Sequence, residues 1–307
     1  MKKRFVALDI LRGLTVAFMC IVNNPGSWAK LFAPLKHAPW DGCNPPDLVF
    51  PFFVFCMGCA MAFSLAGYDS LSRKAAWKIL KRGALIFIVG MLLSLYPFYP
   101  YKPHDEAWTF GQNYLYWLEH KRILGVLQRI GMCYIIAGLV ILALKKNPVR
   151  IAWAVLGLFA LWTAVMVLGA GDGGPFTIQG TWAPKADIAI FGEEHLYRRY
   201  PTPDGGSRWF DPEGVWGALT GACTALLGWL AGTLVRTSRA RYASGCEGTA
   251  SGRLIPPTSW APPVHETTGG HAVREAVPSQ PQSSKTLPAE ADGAFGTRPG
   301  GILSFCG

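Results

Sequence analysis

The sequence predicts an all-α fold: a polytopic transmembrane helical bundle of about six spans, with a disordered C-terminal tail. Three observations predict it. Half of the 307 residues are hydrophobic and only 16% are charged, against about 25% charged in a typical soluble domain. The missing charge is concentrated in long apolar runs, and a bilayer core of about 30 Å needs roughly 20 such residues per helix. Lys and Arg gather on alternate connections between these runs, the pattern of cytoplasmic loops.

The first span, about 5–23, follows Lys2, Lys3 and Arg4. This basic start has the charge of a signal-peptide leader. No small-residue cleavage site follows, however, and Asn23-Asn24-Pro25 ends the run, so an uncleaved first helix is expected. The second span, about 47–67, opens at Asp47, a carboxylate suited to a helix start. The third, about 83–98, is short as an apolar run, and its helix is expected to begin near Ala75. The fourth and fifth, about 123–144 and 151–170, are separated by a small turn holding Lys145, Lys146 and Arg150. The sixth, about 214–235, ends at Arg236, Arg239 and Arg241. With Arg73, Lys74, Lys78, Lys81 and Arg82 between the second and third spans, four basic clusters fall on one side if every span crosses once. That side is the cytoplasm, which places the N-terminus there too.

The outer side receives the longer segments 24–46, 99–122 and 171–213. Trp28, Trp40, Tyr96, Tyr99, Tyr101, Tyr114, Tyr116 and Trp117 sit near their membrane boundaries, where amphipathic rings prefer the headgroup level. Glycines at 58, 90, 131, 138, 228 and 232 permit close helix packing. The chain therefore divides into a membrane domain, 1–236, and a polar tail, 237–307. That tail is rich in Gly, Pro, Ser and Thr and has too few apolar residues to offset its chain entropy.

The net charge of +10 is what cytoplasmic loops supply, so nucleic acid is not an expected partner. The eight cysteines do not form a disulfide framework, since most lie in apolar runs and read as small hydrophobes. Cys56 and Cys59 form a CxxC at hydrocarbon depth without a second pair, so no metal site is expected.

Chemistry is sought among polar groups in or beside the spans, because an unpartnered charge at mid-bilayer costs about 2.5–3.5 kcal/mol. Asp9 and Arg12, three residues apart, share a helix face and can pair. Gln128 and Arg129 interrupt the fourth span. Arg129 is placed about seven residues, or ~10 Å, from its outer end, facing either a polar cavity or a structural partner. The first outer segment holds Asn23, Asn24, His37, Trp40, Asp41 and Asp47. Among these His37 can titrate near neutrality, histidine having a reference pKa of about 6.5.

At this point "LDILRGLTVAFMCIVNNPGSW", "LKHAPWDGCNPPDLVFPFFVFCMG", "RILGVLQRIGMCY" and "FDPEGVWGALTGACTALLGWLAG" resemble the heparan-α-glucosaminide N-acetyltransferase family and its bacterial relatives. The resemblance implies a multi-helix membrane enzyme that moves acetyl from cytosolic acetyl-CoA to an amino sugar on the far side. It implies His37 as the active-site histidine, Asn23 as the asparagine ending the first helix, and Asp47 as the aspartate before "LVFP". Asn24, Trp40, Asp41 and Asp47 are then expected on the acceptor side. Arg12, Gln128 and Arg129 are expected along the path of acetyl-CoA, with the basic 73–82 loop at its phosphates. The expected partners are the amino-sugar acceptor and the lipid bilayer, with homo-oligomerisation open, and the expected location is a bacterial inner membrane. Free amine is needed to attack a thioester, so His37 serves as general base or accepts the acetyl group itself. The Asn23 amide is a donor type suited to the oxyanion. The resemblance runs from about residue 4 to 235. Family members continue with further helices, whereas this chain turns to its polar tail and reads as truncated or frameshifted after about residue 236. Two other functions stay open from sequence: a small-solute transporter using Asp9, Gln128 and Arg129 as a polar path, and an inactive truncated remnant of the acyltransferase.

Overall fold

The computed structural model describes residues 6–27, 30–100, 102–201 and 206–248. Lys2, Lys3 and Arg4, the rings of Trp28 and Tyr101, the side chains of Arg239 and Arg241, and the tail from 249 onward lie outside the described residues. Among the described residues eight α-helices follow in order: α1 (Val6–Asn23), α2 (Val49–Ser64), α3 (Arg73–Leu95), α4 (Phe110–Glu119), α5 (Val126–Ala143), α6 (Pro148–Leu168), α7 (Ala183–Phe191) and α8 (Gly217–Gly248). Two short strands, β1 (Arg198–Pro201) and β2 (Ser207–Phe210), pair antiparallel between α7 and α8. Described residues through 242 belong to one unit. The final turns of α8 fall in a second, of which nothing further is described.

Five helical stretches are long and apolar enough to cross a membrane: Val6–Asn23, Pro45–Ser64, Val126–Ala143, Pro148–Leu168 and Gly217–Ser238. They coincide with five of the six expected spans. The third differs. Ser72 caps α3, its hydroxyl accepting from the Ala75 backbone N–H at 3.2 Å, so the helix starts at Arg73 rather than near Ala75. Its first ten residues carry Arg73, Lys74, Lys78, Lys81 and Arg82. Only the remainder is apolar, and that stretch is shorter than in the other five.

The core forms where α2, α3, α5 and α8 pack, with Val54, Met61, Ile79, Ile141, Leu142, Leu226 and Trp229 buried. Two close approaches need glycine. A Cβ on Gly131 of α5 would stand 2.7 Å from the Gly83 carbonyl of α3, and one on Gly58 of α2 would collide with the Ala225 backbone of α8. Small residues let backbones meet where lipid supplies no hydrophobic drive between helices. Outward faces of α1 and α6 expose Ile10, Leu14, Trp153 and Phe159, as lipid-facing surfaces must. The outer segments, expected as loops, hold α4, α7 and the hairpin. Thr109 begins α4 with a capping box to Gln112, and Pro184 sits in the first turn of α7.

Candidate functional site

The loop between α1 and α2 returns to the membrane through Asn44-Pro45-Pro46-Asp47. The two prolines hold a 3-10 turn, Pro45–Leu48, from which α2 continues. Asp47 is therefore not the residue that caps α2. It lies within the preceding turn, and its carboxylate folds back. Oδ2 accepts the Asn44 backbone N–H at 2.8 Å and the Ala38 N–H at 3.2 Å. Oδ1 stands 2.6 Å from His37 Nδ1. The Asn44 side-chain amide donates to the carbonyl of Lys36, the residue before His37, at 2.9 Å. Residues 36–47 are thus closed into a ring around one carboxylate.

A carboxylate only accepts, so Nδ1 carries the proton. In the neutral imidazole Nε2 then keeps its lone pair. The imidazole is half-exposed, at 47%, while Asp47 is more covered, at 27%. The ring is reachable and its partner is sheltered.

The other predicted residues are placed as follows. Asn23 is the half-buried last residue of α1; among the described residues it makes no hydrogen bond to His37 or Asp47. The Asn24 amide donates to Cys20 O at 3.0 Å and closes the end of α1. Trp40 donates its indole N–H to Phe176 O at 2.7 Å and meets Phe210 edge-on at 5.0 Å. Asp41 is exposed on the same loop. Arg12 lies 3.8 Å from Asp9 and lines a cleft of about 390 Å³ with Phe53, Met57, Ser64, Arg82 and Tyr134. Among the described residues the buried Tyr134 hydroxyl has no hydrogen-bond partner.

Arg129 lies shallower than its expected ~10 Å. Gly125 is extended and α5 starts only at Val126, so Arg129 sits about 4.5 Å into the helix. Its Nη1 donates to Pro212 O at 3.0 Å and to Glu213 Oε2 at 3.2 Å, and its Nη2 to Gly217 O at 3.1 Å. The guanidinium covers the Phe50 ring at 4.5 Å. Gln128 is 2% exposed and donates to Ile123 O at 3.0 Å.

Sequence reasoning did not single out the acids that complete this end of the bundle. Arg122 grips Asp211 with two hydrogen bonds, 2.9 and 2.6 Å, and Asp187 accepts the Val215 N–H at 2.9 Å. One signal was present. A semi-buried Arg129 requires an acid, and "FDPEG" offers two.

Burial pushes the Asp187 carboxyl up to about 6, with nearby Asp211 adding to the effect and the Val215 N–H and Arg129 opposing it. The folded state therefore binds this proton more tightly than the unfolded chain, whose carboxyl stays near the ordinary value of 3.8. Stability from this group is lowest above about 6 and rises as pH falls through 6 toward 3.8, by about 1 kcal/mol per pH unit. Thermal melting in detergent at about pH 7.5 and pH 5.5 is expected to show the rise in the parent chain and a smaller one in Asp187→Asn.

Residues 4–178 match the family model described as heparan-alpha-glucosaminide N-acetyltransferase, catalytic. The chain is 29% identical over 285 residues to the Homo sapiens heparan-alpha-glucosaminide N-acetyltransferase, covering 78% of this chain and 39% of that protein. It is 29% identical over 277 residues to the Mus musculus protein of the same name, covering 76% and 39%. The chain thus spans about two fifths of the length of these curated relatives.

Proposed function

The chain belongs to the heparan-alpha-glucosaminide N-acetyltransferase catalytic family, and from that membership we propose that it carries acetyl from acetyl-CoA on the cytoplasmic side to the amine of a glucosamine-type sugar on the outer face. The observation that carries the proposal is the His37–Asp47 pair at 2.6 Å, which frees one imidazole lone pair in a ring-closed loop within the matched region.

His37 Nε2 takes a proton from the acceptor nitrogen as that nitrogen bonds to the acyl carbon, and Asp47 holds the imidazolium that forms; the tetrahedral intermediate then breaks its C–S bond, and the imidazolium returns the proton to the departing CoA sulfur. The alternative route, attack by Nε2 itself, uses the same lone pair. Rapid quenching and a search for acetyl-His37 tells them apart. Asn23 is assigned to the oxyanion. Asn24, Trp40 and Asp41, on the same loop or at its start, are assigned to the acceptor side.

Acetyl-CoA supplies an activated acyl carbon with a sulfur leaving group. The Arg12 cleft fits its anionic, amphiphilic arm: two guanidinium groups, Arg12 and Arg82, border apolar Phe53 and Met57, and the Tyr134 hydroxyl has no partner. Along α1, Arg12 precedes Asn23 by eleven residues, about 16 Å of helix, so the cleft reaches well down from the outer end. Arg12→Ala is expected to raise the acetyl-CoA KM about tenfold, the size of a lost charge-assisted hydrogen bond, with the acceptor KM unchanged in steady-state kinetics.

Gln128 and Arg129 would belong to a solute path if the chain were a transporter. Their polar groups face Ile123 O, Pro212 O, Gly217 O and Glu213 instead, which counts against a solute path and also moves them from the expected acetyl-CoA path to holding the outer end of α5. A bacterial inner membrane with the N-terminus cytoplasmic is the proposed setting. The deciding assay supplies labelled acetyl-CoA to the cytoplasmic face of membrane vesicles and glucosamine to the other. Labelled N-acetylglucosamine on the outer side supports the proposal, and solute flux without acetyl transfer rejects it.

A further inference from the structure

We propose that the β1–β2 hairpin belongs to the catalytic apparatus, with Phe210 acting as a positioning residue that seats Trp40 and thereby sets where the His37 imidazole stands. The inference rests on the reading of His37 as the reacting group.

The ties around Asp47 all run within residues 36–47: the Ala38 and Asn44 N–H groups, the Asn44 amide on Lys36 O, and His37 itself. They fix the shape of the ring. Through Asp47 they join the ring to α2, but not to the outer segments that follow α6. Trp40, three residues after His37, supplies that link. Its indole N–H reaches Phe176 O at 2.7 Å, 136 residues away in sequence, and its ring meets Phe210 at 5.0 Å with planes 67° apart. Edge-to-face packing of this kind fixes both the distance and the orientation of a ring.

The seat is itself held in place. Phe210 is opposite Arg198 in the hairpin register and packs edge-on against Tyr200 at 5.8 Å. Arg208, two residues earlier on the same strand, donates to Gln179 O, in the segment that also provides the Phe176 carbonyl. The two contacts on Trp40 therefore come from one joined block. Three residues of chain span at most about 10 Å, so a displacement of Trp40 reaches His37 through a short tether. A half-exposed imidazole has little packing of its own to resist that movement, and a displacement of about 1 Å at a reacting group can cost about 100-fold.

The experiment compares the parent chain with Phe210→Ala and Phe210→Tyr, using two readouts. The first is the rate at which diethyl pyrocarbonate modifies His37, followed by mass spectrometry with His104 and His120 as internal references. The second is kcat and both KM values for acetyl transfer. In Phe210→Ala the His37 modification rate is expected to change several-fold while His104 and His120 hold steady. kcat should fall about tenfold with the acetyl-CoA KM within about twofold of the parent, and Phe210→Tyr should restore both. An unchanged His37 rate in Phe210→Ala overturns the proposal, as does a change that His104 and His120 share, which would mark general loosening. If the parent chain transfers no acetyl at all, the reading of the reaction fails. The His37 modification rates still decide whether Phe210 is its seat.

Discussion

A His37→Ala chain is expected to lose acetyl transfer by about 10²–10⁴-fold, the usual contribution of a positioned proton acceptor, while folding and acetyl-CoA binding persist. The retained fold follows from the loop's construction. Without the imidazole, Asp47 Oδ2 still accepts from Ala38 at 3.2 Å and Asn44 at 2.8 Å, and the Asn44 amide still holds Lys36 O. The ring of residues 36–47 stays closed around the carboxylate. Loss of activity would therefore report missing chemistry rather than a collapsed loop. Asp47→Asn is the companion. An amide keeps the carboxylate's shape, but it can present an N–H to Nδ1 and drive the proton to Nε2, which removes the reactive lone pair. It should approach the His37→Ala loss in kcat. Initial rates of glucosamine acetylation on matched amounts of membrane protein check both, and full activity in either variant would remove the dyad from the mechanism.

The largest effect on stability is expected at Arg122. Asp211 is fully enclosed, with a side-chain exposure of 0%, and Arg122 holds both of its oxygens at 2.9 and 2.6 Å. Removing one member of a buried pair leaves the other charge without compensation and costs about 3–5 kcal/mol. Arg122→Ala should thus lower the melting temperature in detergent strongly, whereas replacing both partners with apolar residues of similar volume should recover most of the loss. The Glu213 backbone N–H on Asp211 at 2.8 Å offers only a neutral donor in place of the guanidinium. A single-mutant loss under about 1 kcal/mol would mean that solvent reaches Asp211 and screens it. Because Asp211, Glu213, Arg122 and Arg129 hold α5 to the start of α8, this variant should also release the outer end of α5.

The spans were legible in the sequence because they are one-dimensional: a helix crosses when enough apolar residues follow one another. α3 was harder, since its cationic first half reads as a loop until Ser72 is recognised as a cap. α4 was missed from sequence, although Thr109 and Gln112, three residues apart ahead of an aromatic run, form the capping box that starts it. The hairpin had a turn signal in "TPDGG", with strands too short for alternation to be convincing. His37 and Asp47 were both readable as candidates, one from its titration range and one from its place before an apolar run. Their direct pairing across ten residues was not, because it depends on two prolines turning the chain back at Asn44. Arg129 was misplaced in depth because Ile123, Leu124 and Gly125 read as the first turn of the apolar run that becomes α5. In the structure the Ile123 N–H bonds to His195 O at 3.2 Å and draws that stretch out of the helix.

From the sequence alone came the membrane class, the positions of five of the six expected apolar spans, and the expectations of which side the basic loops face and which residue types could carry acyl transfer. Each follows from properties that add along the chain: apolar length, charge spacing, and the intrinsic chemistry of a side chain. Tertiary structure alone decided the partners. Arg129 had to find an acid, yet nothing in its neighbourhood showed that Glu213, 84 residues onward, would be the one. Trp40 had to satisfy its N–H, yet only the fold brought Phe176 to it. Desolvation demands that every buried polar group be matched, and the choice of match is set by which distant elements the packed backbone brings within about 3 Å.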